Sequence, residues 1–253
     1  MTQPSDAEYA RKLIGCLDLT ELSDDRSADK VDALLEKART SYGQVAAVCV
    51  WPDHVRRCAT ALRGSHIHIA TVVDFPGGQQ PWEDTRHEIG LALAGGATEI
   101  DMVVDYQRGP EDPHAITYAV RKVKEAAGGL PVKAILETGM LDDTDDMQLL
   151  AGAALSGGAD FVKTSTGKVK TGATMEAADA LLDAIAANGR GGLKVSGGVR
   201  SFADAKAYAD LASEKMGEDW ISPKTFRIGA SSLLTDLIAI AEGGESNAVQ
   251  AGY

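Results

Sequence analysis

Two short runs each carry a lysine inside what otherwise looks like an apolar strand. The first reads ADFVKTSTGK over residues 159–168 and the second GLKVSGGVR over residues 192–200. Alternate residues of a strand share a face, so if Phe161 points inward then Lys163 and Ser165 do too, with Val162 and Thr164 facing the other way. A lysine buried in an apolar strand is costly unless it is paired or used; the plainer alternative is one snorkelling at a strand edge. Lys194 lies in the second run. Two ammonium groups projecting into one interior repel, and burial also disfavours the charged form, so both effects lower a lysine pKa. A free amine near neutral pH is what attacks a carbonyl to form an imine. Both lysines must face the same interior for this reading to hold.

Carboxylates could complete such a site. In TEIDMVV (98–104), Glu99, Asp101 and Val103 share one strand face, which lets Asp101 meet the lysines as a proton-transfer partner. Asp18 in CLDLT (16–20) reads as the end of a strand, equally suited to capping a turn or to chemistry. Glu137 in LETGM follows another strand-like run and could pair a lysine. Three small-residue segments then follow successive strands: Ser165-Thr166-Gly167-Lys168, Gly197-Gly198 and Gly229-Ala230-Ser231-Ser232. Amides, hydroxyls and a helix N-terminus converging after late strands make a phosphate site, although no G-x-x-x-x-G-K-[ST] loop occurs.

No metal site is expected. His54, His66, His68, His87 and His114 include no H-E-x-x-H pattern, and His66 and His68 fall at a strand's entrance, away from the end where the other groups gather. The three cysteines Cys16, Cys49 and Cys58 suggest no disulfide framework.

The elements that would hold these groups recur regularly. Strand-like runs cover 13–17, 45–51, 67–75, 99–104, 132–138, 161–165, 192–195 and 226–230, with helical patterns between them. Ser27 stands before the Val31, Leu34, Leu35, Ala38 stripe as a candidate N-cap, and Thr174 before a run that ends near Asn188-Gly189. Gly95-Gly96, Gly128-Gly129 and Gly157-Gly158 each close a helical stretch where a left-handed cap is expected. Eight strand–helix units in 253 residues describe a single-domain α/β protein, a closed (β/α)8 TIM barrel over about 11–243. The rival doubly wound sheet would show a Gly-rich turn after its first strand, and none is present. Aromatics make up 5% of the chain, so Ala, Val, Leu and Ile must fill the core. Residues 1–9 read as a flexible segment or a short cap on the barrel floor, and 243–253 as a Gly-rich mobile tail.

A net charge of −12 argues against nucleic-acid partners and anionic membrane surfaces, and no apolar run reaches the 18 residues of a span. With no signal-peptide pattern, a cytoplasmic location is expected.

With these residues assembled, the chain resembles the deoxyribose-phosphate aldolases, class I aldolases on a TIM barrel. The resemblance rests on LDLT (17–20), VCVWP (48–52), IATVVDFPGG (69–78), EIDMVV (99–104), ILETGML (135–141), FVKTSTGK (161–168), KVSGGVR (194–200) and RIGASSLL (227–234). It implies reversible cleavage of 2-deoxy-D-ribose 5-phosphate to acetaldehyde and D-glyceraldehyde 3-phosphate, with no metal or organic cofactor. By the same resemblance Lys163 would be the Schiff-base lysine, Lys194 the residue that lowers its pKa, Asp101 the proton-relay acid and Asp18 an active-site carboxylate. Thr164, Thr166, Gly167, Lys168, Gly197, Gly198, Gly229, Ser231 and Ser232 would bind substrate and phosphate. Tyr253, the last residue, matches a tail tyrosine that assists proton transfer in family members. The chain departs from the pattern at DYQRGPEDPHA (105–115) and at Val195-Ser196, which spare the lysines and glycines.

Partners are expected to be small phosphosugars and aldehydes, with a homodimer or homo-oligomer open. Cys49, read as ending the second strand, is either a buried small apolar residue or a thiol open to unsaturated aldehydes. Two rival functions stay open: a phosphosugar isomerase or epimerase, and a silent barrel that binds a phosphorylated metabolite.

Overall fold

A computed structural model describes residues 5–246. Eight parallel strands close into a barrel: β1 Leu17–Glu21, β2 Ala47–Val50, β3 His68–Val73, β4 Glu99–Val103, β5 Val132–Ile135, β6 Phe161–Lys163, β7 Gly192–Ser196 and β8 Phe226–Ala230. Each pairs with its sequence neighbour, and β1 closes the ring by pairing with both β2 and β8. Around them lie α1 Asp6–Ile14, α2 Ala28–Lys37, α3 Val55–Ala61, α4 Trp82–Gly95, α5 Pro113–Ala126, α6 Thr144–Gly157, α7 Met175–Asn188, α8 Phe202–Met216 and α9 Leu233–Ala241. The expected (β/α)8 architecture is therefore the observed one. A small antiparallel hairpin, Arg39–Thr40 with Gly43–Gln44, was not anticipated.

The first element corrects the sequence reading. Leu13 and Ile14 are the last turn of α1 rather than the start of a strand, and β1 begins at Leu17. Ala10, Leu13 and Ile14 recur at helical spacing and are buried, and a reciprocal capping box between Ser5 and Glu8 starts the helix. Residues 6–9 thus belong to an ordered helix packed on α8 and α9. Asp18 consequently sits near the beginning of β1, not at its end.

Caps follow the local chemistry. Thr174 accepts the Ala177 amide at the start of α7, and Gly189 ends that helix in the left-handed region, as do Gly96 and Gly158 for α4 and α6. Ser27 occupies the N-cap position of α2 but its side chain makes no capping bond. The layer between strands and helices is built from Val48, Val50, Ile100, Val162, Leu193 and the small faces of the Ala-rich helices, as the low aromatic content requires. No helix among the described residues is long and apolar enough to cross a membrane.

Two non-glycine residues past the C-terminal ends of strands have positive φ: Asp74 after β3 (52°) and Glu137 after β5 (47°). Asp74 is buried, and its carboxylate accepts the Gln80 amide. Burial pushes its pKa up to about 6, helped by the nearby Glu88. The unfolded chain ionises this group near pH 4 while the folded chain holds the proton to about pH 6. Asp74 therefore stabilises the fold below that window and loses that contribution as pH rises through it. Asp74→Asn, which keeps an acceptor and tolerates positive φ, should raise stability by about 1–2 kcal/mol at pH 8 and bring no such gain at pH 4. Paired denaturant melts at the two pH values measure this; an equal effect at both would contradict it.

Candidate active site

Strand register brings seven ionisable side chains into the barrel interior. Asp101 lies opposite Lys133, Lys163 opposite Lys194, and Lys194 opposite Arg227. Because neighbours in register face the same side, each alternating strand pattern delivers its charge inward. Asp101 is the hub. Its Oδ1 accepts from Lys133 Nζ at 2.8 Å, and its Oδ2 accepts from Lys163 Nζ at 2.9 Å and Lys194 Nζ at 2.8 Å. Lys194 also lies 2.6 Å from Asp18 Oδ2. Beneath them, Lys133 donates to Glu99 at 2.6 Å, and Arg227 donates to Asp18 at 2.6 Å and to Glu99 at 2.8 Å. All seven groups are almost wholly shielded from solvent.

Three carboxylates thus face four cationic side chains, and the bonded cluster is neutral only if one base gives up its proton. The geometry selects which one. Burial opposes the charge on Lys194, but Asp101 and Asp18 outweigh it and its pKa ends above the ordinary value. Lys133 has three carboxylates around it and also rises. Lys163 has only Asp101, and burial followed by the repulsion of Lys194 brings its pKa below the usual lysine value. Of the two lysines, Lys163 therefore falls, whereas Lys194, held between two carboxylates, rises. Asp101 and Asp18 resist burial because their cations hold them below the normal carboxylate range.

Lys163 is also the member of the cluster that reaches the open end of the barrel. It lines a cavity of about 410 Å³ with Thr20, Glu21, Leu22 and Ser23 on one side. Thr166, Gly167, Lys168, Gly197, Gly198, Gly229, Ser231 and Ser232 line the rest, so the three small-residue segments do converge above the amine. Ser231 and Ser232 lead directly into α9. Lys168 Nζ lies 2.5 Å from Asp24 across the mouth. Glu137 is buried behind the rim, where it accepts from the amide and hydroxyl of Thr166 rather than pairing a lysine.

Other expected residues fall elsewhere. Thr164 does not line the cavity; its hydroxyl donates to the Ser196 carbonyl and accepts the Ser196 amide, fastening β6 to β7. Cys49 faces the interior but is fully buried outside the cavity lining, and burial pushes its thiol up, which suits a small filler better than a nucleophile. Tyr253 lies outside the described residues. His68 opens β3 at the opposite end of the barrel, half exposed, with its ring 3.8 Å from Glu99.

Sequence reading missed Lys133, Arg227 and Arg200. VKAI and FRIGA alternate just as FVK does, so the same inward-facing test applied to those strands would have found the first two. Arg200 lines the cavity immediately after the Gly197-Gly198-Val199 turn.

Comparison with known proteins agrees with this arrangement. A family model described as DeoC/LacD family aldolase matches residues 12–237. A deoxyribose-phosphate aldolase of Agrobacterium fabrum (strain C58 / ATCC 33970) is 39% identical over 250 residues, 97% of this chain and 96% of its own length. The apo crystal structure of a candidate deoxyribose-phosphate aldolase from Toxoplasma gondii ME49 is similar with a TM-score of 0.86 at 27% identity, covering 94% of this chain and 98% of that one. The tetrameric deoxyribose phosphate aldolase of Aeropyrum pernix is similar with a TM-score of 0.74 at 27% identity, covering 95% and 98%.

One glycine outside the three expected segments controls the rim. A Cβ on Gly172 would lie 2.3 Å from the Gly197 carbonyl oxygen, and this contact with backbone cannot be relieved by a rotamer change. Gly172→Ala should displace the Gly197-Gly198 turn and weaken inorganic phosphate binding by roughly tenfold, about 1.4 kcal/mol. Calorimetric titration with phosphate tests this, and unchanged affinity in the folded variant would contradict it.

Proposed function

The chain belongs to the DeoC/LacD family of aldolases, and from that premise we propose that it cleaves 2-deoxy-D-ribose 5-phosphate reversibly to acetaldehyde and D-glyceraldehyde 3-phosphate through a Schiff base on Lys163. The observation that carries this reading is the position of Lys163, the one amine of the buried cluster that also lines the cavity beneath three phosphate-type turns.

The chemistry follows from that position. The neutral Lys163 amine adds to the C1 aldehyde of the open-chain sugar, and loss of water from the carbinolamine gives an iminium. Removal of the proton from the C3 hydroxyl then breaks the C2–C3 bond, and its electron pair flows into the iminium to form an enamine as glyceraldehyde 3-phosphate departs. Protonation of the enamine carbon regenerates an iminium, and hydrolysis releases acetaldehyde and the free amine. Lys194 carries the ammonium charge between Asp101 and Asp18, so it serves as proton donor, with Asp101, bonded to both Lys163 and Lys194, relaying protons between the lysines or a water. Asp18 acts from one step away, by holding Lys194. No group outside the chain is required.

Lys168, Gly167, Gly197, Gly198, Gly229, Ser231 and Ser232 would hold the phosphate, with Arg200 adding charge. Lys168 must leave Asp24 to do so. Thr166 lines the same rim, its amide and hydroxyl held by Glu137. A phosphosugar isomerase or epimerase would need a carboxylate free to abstract a carbon-bound proton, whereas Asp18 and Asp101 are each committed to several cations. Three free, buried cysteines fit a reducing, cytoplasmic setting, and assembly into a homodimer or larger homo-oligomer belongs to the same proposal.

Turnover assays test the reading. The protein should release acetaldehyde from 2-deoxy-D-ribose 5-phosphate, and Lys163→Ala should lower kcat by about 10³-fold or more. Unphosphorylated 2-deoxy-D-ribose should show a lower kcat as well as a higher KM, because binding at the remote phosphate helps to position C1. Full turnover by Lys163→Ala, or binding of the phosphate ester with no turnover by the wild type, would overturn it.

A further inference from the structure

Glu99 and Arg227 lie under the reacting end of the barrel with no route to a substrate. Neither lines the cavity, and both are buried. Their bonding is nonetheless dense. Arg227 uses both terminal nitrogens on Glu99, at 3.3 and 2.8 Å, donates to Asp18 at 2.6 Å, and passes its Nε to the Pro223 carbonyl. Glu99 in turn takes the Lys133 ammonium at 2.6 Å. Lys133 and Asp18 are the two residues that connect this lower pair to Asp101 and Lys194, and through them to Lys163.

Such a pair is an unusual investment if packing were its whole purpose. Buried ion pairs are often replaceable by apolar residues without loss of stability, so they are weak evidence for a stabilising role. In a water-free interior, however, a full charge acts on its neighbours with little screening. Each member of the pair therefore bears on the protonation of the weakest base in the cluster, and the two bear on it with opposite sign.

Resting on the reading of Lys163 as the imine-forming amine, we propose that Glu99 and Arg227 are positioning residues of opposite sign that set whether Lys163 holds a proton in the resting enzyme. Arg227 contributes the fourth cation that leaves the cluster one proton in excess, and Glu99 limits that excess so that one amine, and not two, is neutral. Asp101 from β4, Lys194 from β7 and Cys49 from β2 act on Lys163 directly and Glu137 lies nearby, while Asp18 from β1, Glu99 from β4, Lys133 from β5 and Arg227 from β8 make up the rest of the charged and titratable cluster. β3 presents Ala70 and Val72 at the matching register, with His68 at its far end beside Glu99.

The signs make the proposal testable. Glu99→Gln removes an anion, so Lys163 should lose its proton more readily and the acid limb of the kcat/KM profile should move to lower pH. Arg227→Met removes a cation, so the limb should move to higher pH, with the rate at neutral pH falling about tenfold for each pH unit of displacement. The double variant loses one charge of each sign and should return towards the wild-type limb, and Arg227→Lys should keep it. Competitive acetylation of Lys163 across pH, read by peptide mass mapping, should reproduce the same displacements without turnover.

If either single variant does not fold, Lys133→Met and Asp18→Asn replace Arg227→Met and Glu99→Gln with the same expected signs. Displacements of the same sign, or activity lost equally at every pH with the limb unmoved, would overturn the proposal and leave a purely structural pair. Borohydride trapping on wild-type Lys163 separates the two failures: no adduct there refutes the imine reading itself, whereas an adduct with unmoved limbs refutes only the role of Glu99 and Arg227.

Discussion

The structure depends on an imbalance of charge held out of water. Four basic and three acidic side chains are bonded together inside the barrel, where isolated ions would be very costly and only pairing makes burial tolerable. Six of the groups can be satisfied as ions. The seventh, Lys163, is coordinated by a carboxylate oxygen already shared with Lys194, and it is the one that meets the cavity. Lys163 thus combines a lowered pKa with access to the cavity.

The barrel is the scaffold that makes this arrangement possible. Parallel register places inward residues of neighbouring strands side by side, so charges far apart in sequence become neighbours: Lys194 Nζ and Asp101 Oδ2 are separated by 93 residues and by 2.8 Å. The strands hold their charged residues on the inside, while Val48, Ile100, Val162 and Leu193 seal the outside against Ala-rich helices. Above this layer, the loops after β6, β7 and β8 present small residues to the cavity. Buried charges at the centre and loops at the rim thus occupy separate layers of the barrel.

Much of this was legible in the sequence, and the gaps have physical causes. Lys163, Lys194 and Asp101 stood out because a period of two assigns each to the inner face of its strand. Lys133 and Arg227 obey the same rule, but each lies at the second position of a short strand, where a charge reads as an exposed end. The apolar run around Leu13, Ile14, Cys16 and Leu17 combines the end of a helix with the start of a strand, and periodicity cannot divide so short a stretch. That ambiguity displaced Asp18, and with it the ion pair that raises Lys194. Gly172 carried no signal at all, since its close approach to Gly197 exists only in three dimensions.

If the charge cluster leaves one neutral, accessible amine at Lys163, the imine must form there and nowhere else. Borohydride trapping with 2-deoxy-D-ribose 5-phosphate, followed by peptide mass mapping, tests it most directly. A single reduced adduct on Lys163 is expected, with Lys133 and Lys194 unmodified and the adduct suppressed by a competing phosphate ester. An adduct on Lys194, or none while the substrate demonstrably binds, would contradict it.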